Sequence, residues 1–161
     1  MAVPKKIINF LEKSKVKYQI LKHRKVYTAF DKSQTLKVPQ KIVGKTLILR
    51  DGKKLIFVLI SADKKLDLRK IKNLRKIKKL GKKVELAREK LIKNKIKGVK
   101  VGAVPPFGIL WKAQTIVDPA FKRQKEIILN SGDWQHSIKI SPKNLEKLVP
   151  DLVWQKISQK R

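Results

Sequence analysis

The chain has 161 residues, 42% of them apolar and 34% charged, which suits one globular domain and excludes disorder throughout. Its 42 Lys and Arg against 12 Asp and Glu give a formal net charge of +30, an excess that favours a polyanionic partner such as nucleic acid. The absence of cysteine excludes disulfides, thiolate nucleophiles and Cys-based zinc sites.

Two helices are predicted within the first forty residues. Pro4 suits the start of a helix, and apolar residues recur at helical spacing up to about Ser14. Thr28, with Asp31 three residues later, resembles a capping box that opens a short helix ending before Pro39.

The clearest strand signal is a hairpin over residues 44–60, where two apolar runs flank the turn dipeptide Asp51-Gly52. Apolar and β-branched runs predict further short strands at residues 16–21, 83–87, 109–117, 126–130 and 136–140.

Three more helices follow the hairpin. Asp67 can cap a helix that turns Leu68, Ile71 and Leu74 inward, and a short helix ends near Gly98. Ser141-Pro142 opens the last helix, whose buried face carries Leu145 and Leu148.

The order of these elements predicts the fold class. Helices and strands are mixed without a regular βαβ rhythm, so we expect an α+β fold with a mixed, partly barrel-like sheet flanked by helices. We expect a single domain over residues 1–150, followed by a basic, weakly ordered extension at residues 151–161 that Trp154 can tether.

Positive charge is dense in residues 64–100, which hold 17 basic and 3 acidic residues. This segment is the candidate for contacting a nucleic-acid backbone. It lacks the Trp or Phe face of an interfacial helix, so an anionic membrane surface fits less well. A lysine-heavy surface that reflects a biased genome or a hot habitat is the alternative explanation.

Neither a membrane span nor a secretory signal is predicted. No apolar run reaches the roughly 18 residues that span a bilayer, and the N-terminal lysines are not followed by a signal-peptide core. We therefore expect a cytoplasmic protein with no membrane partner, present as a monomer or weak oligomer.

Few side chains could carry catalysis. His23 and His136 are the only histidines, which excludes a multi-histidine metal centre. The acids show no pairing typical of metal or glycosidase sites, and neither a phosphate-binding loop nor a Gly-x-Ser-x-Gly motif occurs. Any catalysis must therefore rely on positioning and backbone groups.

Residues 101–111, "VGAVPPFGILW", contain no charged residue, although lysine-rich sequence precedes them. We call this segment the neutral loop. Its glycines and prolines alone favour a turn between two elements.

Five segments carry a resemblance to a known family, in that family's order and at its spacing. They are "YTAFDKSQTLKVPQKIVGKTLIL" (27–49), "DKKLDLRKI" (63–71), "GVKVGAVPPFG" (98–108), "VD" (117–118) and "ILNSGDWQHSIKISPKNLEKL" (128–148). The chain resembles the YbaK family of aminoacyl-tRNA deacylases, relatives of the INS editing domain of bacterial prolyl-tRNA synthetases, over roughly residues 5–148. The most diagnostic features are Lys45 at the start of an apolar strand and the loop from Gly102 to Pro106.

The resemblance implies a trans-editing hydrolase that deacylates mischarged aminoacyl-tRNA. The implied substrates carry a small amino acid such as Ala, Cys or Ser on tRNA(Pro), and an aminoacyl-tRNA synthetase is a possible further partner. The family mechanism uses no protein nucleophile, because the protein orients the ester while a ribose hydroxyl or a group of the amino acid assists cleavage. The scarcity of His, Cys and paired acids agrees with this scheme. The resemblance implies no metal and no organic cofactor.

The resemblance also implies site residues. Lys45 and Gly102 are the candidate catalytic residues, Lys45 near the terminal nucleotide and Gly102 through backbone N–H groups that no side chain blocks. Ala103 and Pro106 are candidate substrate-binding residues in the same loop, which proline stiffens.

Three further residues are candidates for substrate binding: Thr28, Gly132 and His136. Alternatives remain for several of these assignments. Lys45 could be one more surface lysine, Thr28 has a sufficient role as a helix cap, and His136 could face solvent on a strand.

Two other functions stay open. A non-catalytic RNA-binding or tRNA-binding module would keep the fold and the basic segment and would tolerate loss of Lys45. An architectural DNA-binding protein would explain the charge but not the neutral loop.

Overall fold

The computed structural model describes residues 2–72 and 84–161, and in them it confirms the predicted α+β class. The helices are α1 (Lys5–Ser14), α2 (Ala29–Leu36), α3 (Leu68–Lys72), α4 (Glu89–Lys95) and α5 (Pro142–Leu148). The strands are β1 (Gln19–Lys22), β2 (Gly44–Asp51), β3 (Lys54–Ser61), β4 (Lys64–Leu66), β5 (Glu85–Leu86), β6 (Gln114–Val117), β7 (Ile127–Asn130), β8 (His136–Ile140), β9 (Val153–Trp154) and β10 (Ser158–Lys160). None of the described helices is long and apolar enough to cross a bilayer.

Local capping signals place the helix starts where the sequence predicts them. Pro4 immediately precedes α1. The Thr28 hydroxyl accepts a hydrogen bond from the Asp31 N–H at 3.1 Å, and the Ser141 hydroxyl accepts one from the Asn144 N–H at 3.1 Å. Each cap satisfies an N–H that has no partner inside its own helix.

The predicted hairpin is the centre of a five-stranded mixed sheet with the order β5-β2-β3-β6-β9. β2 and β3 pair antiparallel from Gly44–Ser61 to Asp51–Lys54, and Gly52 takes φ 64° in the turn. β6 and β9 then add parallel strands. β3 is buried along most of its length because its alternate residues pack into apolar clusters on both faces of the sheet, with Val58 in one cluster and Phe57 and Leu59 in others.

A second sheet with the order β1-β8-β7 closes against the first and gives the predicted barrel-like form. An isolated parallel bridge between Val43 and Ile128 joins the two sheets at the start of β2. The space between them is filled by an apolar core that includes Phe107, Phe121 and Leu129. This closure brings the start of β2 next to the end of β7.

The predicted strand at residues 109–117 is only partly present. Residues Gly108–Trp111 form a 3₁₀ helix, and the strand begins at Gln114. The cause is a tight reversal of the chain, in which the Gly108 N–H donates to the Thr115 hydroxyl at 3.0 Å. A Cβ at Gly108 would come within 2.7 Å of the Ala113 carbonyl oxygen, so only glycine allows this approach.

The expected weak order of the last residues is wrong. β9 pairs with β6, and β10 pairs antiparallel with β4. Ile157, between these two strands, is fully buried. Apolar burial and backbone pairing therefore hold the segment in place. Two details predicted from the sequence, the inward-facing Leu74 and the basic residues at 73–83, lie outside the described residues.

Candidate active site

A cavity of about 520 Å³ opens where the start of α2, the start of β2 and the neutral loop meet. Four of the predicted site residues line it: Thr28, Lys45, Gly102 and Ala103. The fold thus assembles residues that are far apart in the sequence. The remaining lining residues are Val26, Tyr27, Ala29, Phe30, Lys32, Thr46, Leu47, Ala62, Asn130, Asp133, Trp134 and Arg161.

The neutral loop enters the cavity through a tight turn. The Ala103 N–H donates to the Lys100 carbonyl at 3.0 Å, and Gly102 has φ 83°, the positive value that the third residue of a type II turn requires. The Ala103 N–H is therefore already used. No described group accepts a hydrogen bond from the N–H of Gly102, which also lines the cavity.

Backbone and side-chain hydrogen bonds fix this turn from behind. The Gly132 N–H donates to the Ala103 carbonyl at 2.7 Å, and the Lys100 N–H donates to the Gly132 carbonyl at 2.9 Å. The Trp134 Nε1–H donates to the Val101 carbonyl at 2.9 Å. The conformation of this turn is consequently fixed before any ligand binds.

Gly132 and Pro106 lie behind the cavity wall. Gly132 borders a separate cavity of about 300 Å³, and a Cβ there would come within 2.9 Å of Val99 Cγ1. Pro106 is buried and does not line the 520 Å³ cavity. Both residues support the loop without touching the cavity space.

Lys45 occupies the second position of β2, opposite Ile60 of β3. Burial lowers the pKa of its ammonium, the nearby Arg161 lowers it further, and Asp63 opposes the shift. Arg161 reaches the cavity because β10 is paired to the body of the protein. The two side chains make this side of the cavity strongly positive.

The one carboxylate among the described lining residues belongs to Asp133. His136 Nδ1 lies 2.7 Å from Asp133 Oδ2, and the Gln135 N–H donates to the same oxygen at 3.1 Å. Burial alone raises the pKa of Asp133, but these hydrogen bonds outweigh it and leave the pKa below its usual value. His136 itself does not line the cavity, so it meets a ligand only through Asp133.

Sequence reasoning missed Lys32. This lysine is 5% exposed, and its Nζ donates to Asn130 Oδ1 at 2.6 Å. Burial lowers the pKa of Lys32 to about 8. The spacing from Thr28 was a usable signal, because residues four apart share one face of a helix. A pocket that Thr28 borders is therefore also bordered by Lys32, one helical turn further along α2.

Aromatic side chains line the same cavity. Tyr27 is 58% exposed and Phe30 is 49% exposed, and the Tyr27 ring lies 5.1 Å from the Trp134 ring. The Nζ atoms of Lys25 and Lys100 lie 5.6 Å and 5.0 Å from the Trp134 ring centroid. Flat rings next to cations provide surfaces on which unpaired bases stack.

The described part of the chain has no cluster of three or more His, Cys, Asp or Glu residues that could hold a metal ion. The lining instead offers ammonium and guanidinium groups, one engaged carboxylate and backbone N–H groups without an acceptor among the described residues, that of Gly102 included. This set can bind an anionic ligand and polarise a carbonyl oxygen.

Comparisons with known proteins agree with this chemistry. A family model for the aminoacyl-tRNA editing domain matches residues 23–148. The prolyl-tRNA editing protein ProX of Acetoanaerobium sticklandii is 28% identical over 149 residues, covering 89% of this chain and 88% of that protein.

Two solved structures share the fold. The crystal structure of a hypothetical protein aligns with TM-score 0.83 at 24% identity, covering 96% of this chain and 100% of the other. A structure described as a candidate trans-editing enzyme for prolyl-tRNA synthetase aligns with TM-score 0.81 at 19% identity, covering 96% of each chain.

The family match, over residues 23–148, defines the class of the protein as an aminoacyl-tRNA editing domain. The chain belongs to the YbaK-like aminoacyl-tRNA editing family, as its resemblance predicts, and it is an aminoacyl-tRNA deacylase.

Proposed function

We propose that this protein is a cytoplasmic trans-editing hydrolase that removes a small amino acid, Ala, Cys or Ser, from mischarged tRNA(Pro). The proposal includes an aminoacyl-tRNA synthetase as the source of the mischarged tRNA. The observation that carries it is the meeting of the free Gly102 N–H and the Lys45 ammonium at one cavity.

The size of the cavity supports a nucleoside ester as the bound portion. A volume of about 520 Å³ falls within the roughly 300–1,000 Å³ typical of small-molecule sites. A terminal adenosine with a small acyl group fits this scale, whereas the body of a tRNA does not. The rest of the tRNA therefore lies against the outer surface.

The chemistry needs an oriented ester more than a protein nucleophile. In hydrolysis, water adds to the carbonyl carbon, the bond from that carbon to the ribose oxygen breaks, and that oxygen takes a proton. The Gly102 N–H stabilises the negative charge that develops on the carbonyl oxygen. Lys45 holds the terminal nucleotide by its phosphate or ribose oxygens, and the neighbouring ribose hydroxyl orients the water.

The surface around the cavity suits the single-stranded 3′ end of a tRNA. Tyr27, Phe30 and Trp134 offer rings for the unpaired bases. On α4, the described part of the basic segment (residues 64–100) carries Lys90, Lys93 and Lys95, which are exposed and have no salt-bridge partner among the described residues. These lysines are our candidates for contacting the phosphate backbone.

The test is single-turnover loss of the ester from a panel of misacylated tRNAs, with binding to each tRNA measured in parallel. We expect at least one small-amino-acid tRNA(Pro) to be deacylated well above the buffer rate, and Lys45→Ala to slow that reaction. Lys53→Ala, in the exposed hairpin turn, is the matched control. Tight binding without deacylation of any member would instead support the RNA-binding module.

A further inference from the structure

Lys32 is an unusual lysine because it is buried with its charge uncompensated. Its exposed fraction is 5%, and no carboxylate of the described residues lies within salt-bridge distance of it. Taking an ammonium out of water without a counterion is costly. Groups kept at such a cost concentrate at functional sites.

The hydrogen bonding of Lys32 is also incomplete. An ammonium has three N–H donors, and Asn130 Oδ1 is the one described acceptor, at 2.6 Å. Lys32 and Asn130 both line the 520 Å³ cavity. The donors that Asn130 does not use can therefore meet a group that enters the cavity.

The cations of the cavity differ in depth. Arg161 is exposed, Lys45 is half-buried and Lys32 is almost fully buried. Phosphates belong to the tRNA body outside, so they meet the outer cations first. If the substrate enters with its acyl end first, as the proposed function requires, the acyl group is the part of the substrate that reaches Lys32.

We propose that Lys32 is a specificity-determining residue that donates a hydrogen bond to a hydroxyl on the acyl side chain, so that seryl esters are preferred over alanyl esters. This inference rests on the proposed function. A methyl group at the same place would leave the buried donors without an acceptor, and sites built for a hydroxyl discriminate strongly against substrates that lack it. At pH 7 the ammonium form predominates, because the pKa of about 8 lies above that pH.

A purely structural role for Lys32 makes a different prediction. Asn130 Nδ2 donates to the Val104 carbonyl at 3.3 Å, so Lys32 could simply support the neutral loop through Asn130. In that case, a variant that lacks the Lys32 ammonium would deacylate all aminoacyl-tRNAs more slowly by the same factor. The ratio of rates for two acyl groups separates the two roles.

The experiment uses one tRNA charged either with Ser or with Ala, which differ by a single oxygen. We measure kcat/KM for both esters with the wild type, Lys32→Met and Lys70→Met. Lys70 is the control because its Nζ donates to the Ser158 carbonyl at 2.9 Å and Lys70 does not line the cavity. If Lys32→Met melts below the assay temperature, Lys32→Leu, which also lacks a donor, replaces it.

We expect the wild type and Lys70→Met to prefer seryl-tRNA by about ten- to a hundredfold. Lys32→Met should bring the ratio close to one, mainly through a fall in seryl activity. An unchanged ratio in a folded Lys32→Met protein, or a wild-type preference for alanyl-tRNA, would overturn the inference.

Binding of non-hydrolysable analogues keeps this inference separate from the proposed function. The probes are the seryl and alanyl amides of 3′-amino-3′-deoxyadenosine. A seryl preference that disappears in Lys32→Met would support the role of Lys32 even if no ester were cleaved. Equal affinities for the two amides would overturn it even if deacylation were observed, and binding of neither amide would overturn both proposals.

Discussion

The β2–β3 hairpin turn and the turn of the neutral loop are built from the same local chemistry. Each places a glycine at positive φ, 64° at Gly52 and 83° at Gly102. A Cβ at Gly52 would meet no atom within 4 Å, whereas one at Gly102 would lie 3.9 Å from Trp134 Nε1 and from the Tyr27 carbonyl oxygen. The turn at Gly102 is part of a cavity because of where the fold places it, and not because its local chemistry differs from that of the turn at Gly52.

The lysines of the two regions differ in the same way. Lys53 is exposed in the hairpin turn, whereas Lys45 is half-buried and Lys32 is almost fully buried at the cavity. The hairpin therefore supplies a matched control for each substitution at the site. The following predictions use it to test whether position in the cavity is what matters.

The largest effect is expected for Gly102→Val. Valine at positive φ strains the turn and redirects the N–H that we assign to the carbonyl oxygen. Removal of one such donor typically lowers the rate by about a hundred- to a thousandfold, which single-turnover deacylation will measure. Gly52→Val carries similar backbone strain, so it should lower the melting temperature by a similar amount and leave deacylation unchanged.

Lys32→Met should change the pH dependence of stability. The pKa of Lys32 is about 8 in the folded protein and 10.5 when unperturbed, so the unfolded chain binds its proton first as pH falls from 10.5 to 8. The wild type therefore loses stability as the pH falls from 10.5 to 8. Below pH 8 this loss of stability stays constant.

Lys32→Met removes that penalty. Relative to that of the wild type, its free energy of unfolding should be larger by about 2 kcal/mol more at pH 7 than at pH 9.5. Denaturant unfolding at the two pH values measures this difference. Lys53→Met should show none, and a pH-independent difference for Lys32→Met would mean that Lys32 is not desolvated in the folded protein.

Lys45→Ala should slow deacylation by about tenfold, the reduction expected when one hydrogen bond to a charged group is removed. The reason is poorer positioning of the terminal nucleotide, so the effect should be largest in kcat/KM. Lys53→Ala should retain the wild-type value. Equal rates for all three proteins would identify Lys45 as a surface lysine.

The smallest effect is expected from the exposed lysines of α4. Reversing Lys90 and Lys93 to Glu should weaken tRNA binding and lower the slope of log affinity against log salt by about 0.9 for each phosphate that the protein no longer neutralises. Deacylation at saturating tRNA should change little. The same reversal at Lys53 and Lys54 is the control, and identical slopes for both variants would mean that α4 does not touch the tRNA.

Much of the fold was predictable because its signals are local. The Thr28 and Ser141 caps and the Asp51-Gly52 turn act through neighbours in the chain, so sequence patterns identify them. The reversal at Gly108 depends on Ala113 and Thr115, and the order of the last strands depends on pairing with β4 and β6. Such long-range contacts leave no short pattern in the sequence.

The family's motifs predicted part of the lining of the cavity, and the assignment of an active site there stays a prediction. Lys45, Gly102 and Ala103 reach one cavity as the resemblance implies. The sequence could not show that the Ala103 N–H is bonded within the turn or that Asp133 separates His136 from the cavity. Lys32 was missed because a lysine on a short polar helix has a solvated surface as its ordinary place.

The most direct test of the account is a crystal structure of the protein with the seryl amide of 3′-amino-3′-deoxyadenosine. We predict that the ligand occupies the 520 Å³ cavity, with its carbonyl oxygen about 2.7–3.1 Å from the Gly102 nitrogen. The seryl hydroxyl should lie within hydrogen-bond distance of Lys32 Nζ. A ligand bound elsewhere, or one whose carbonyl oxygen points away from Gly102, would contradict the account.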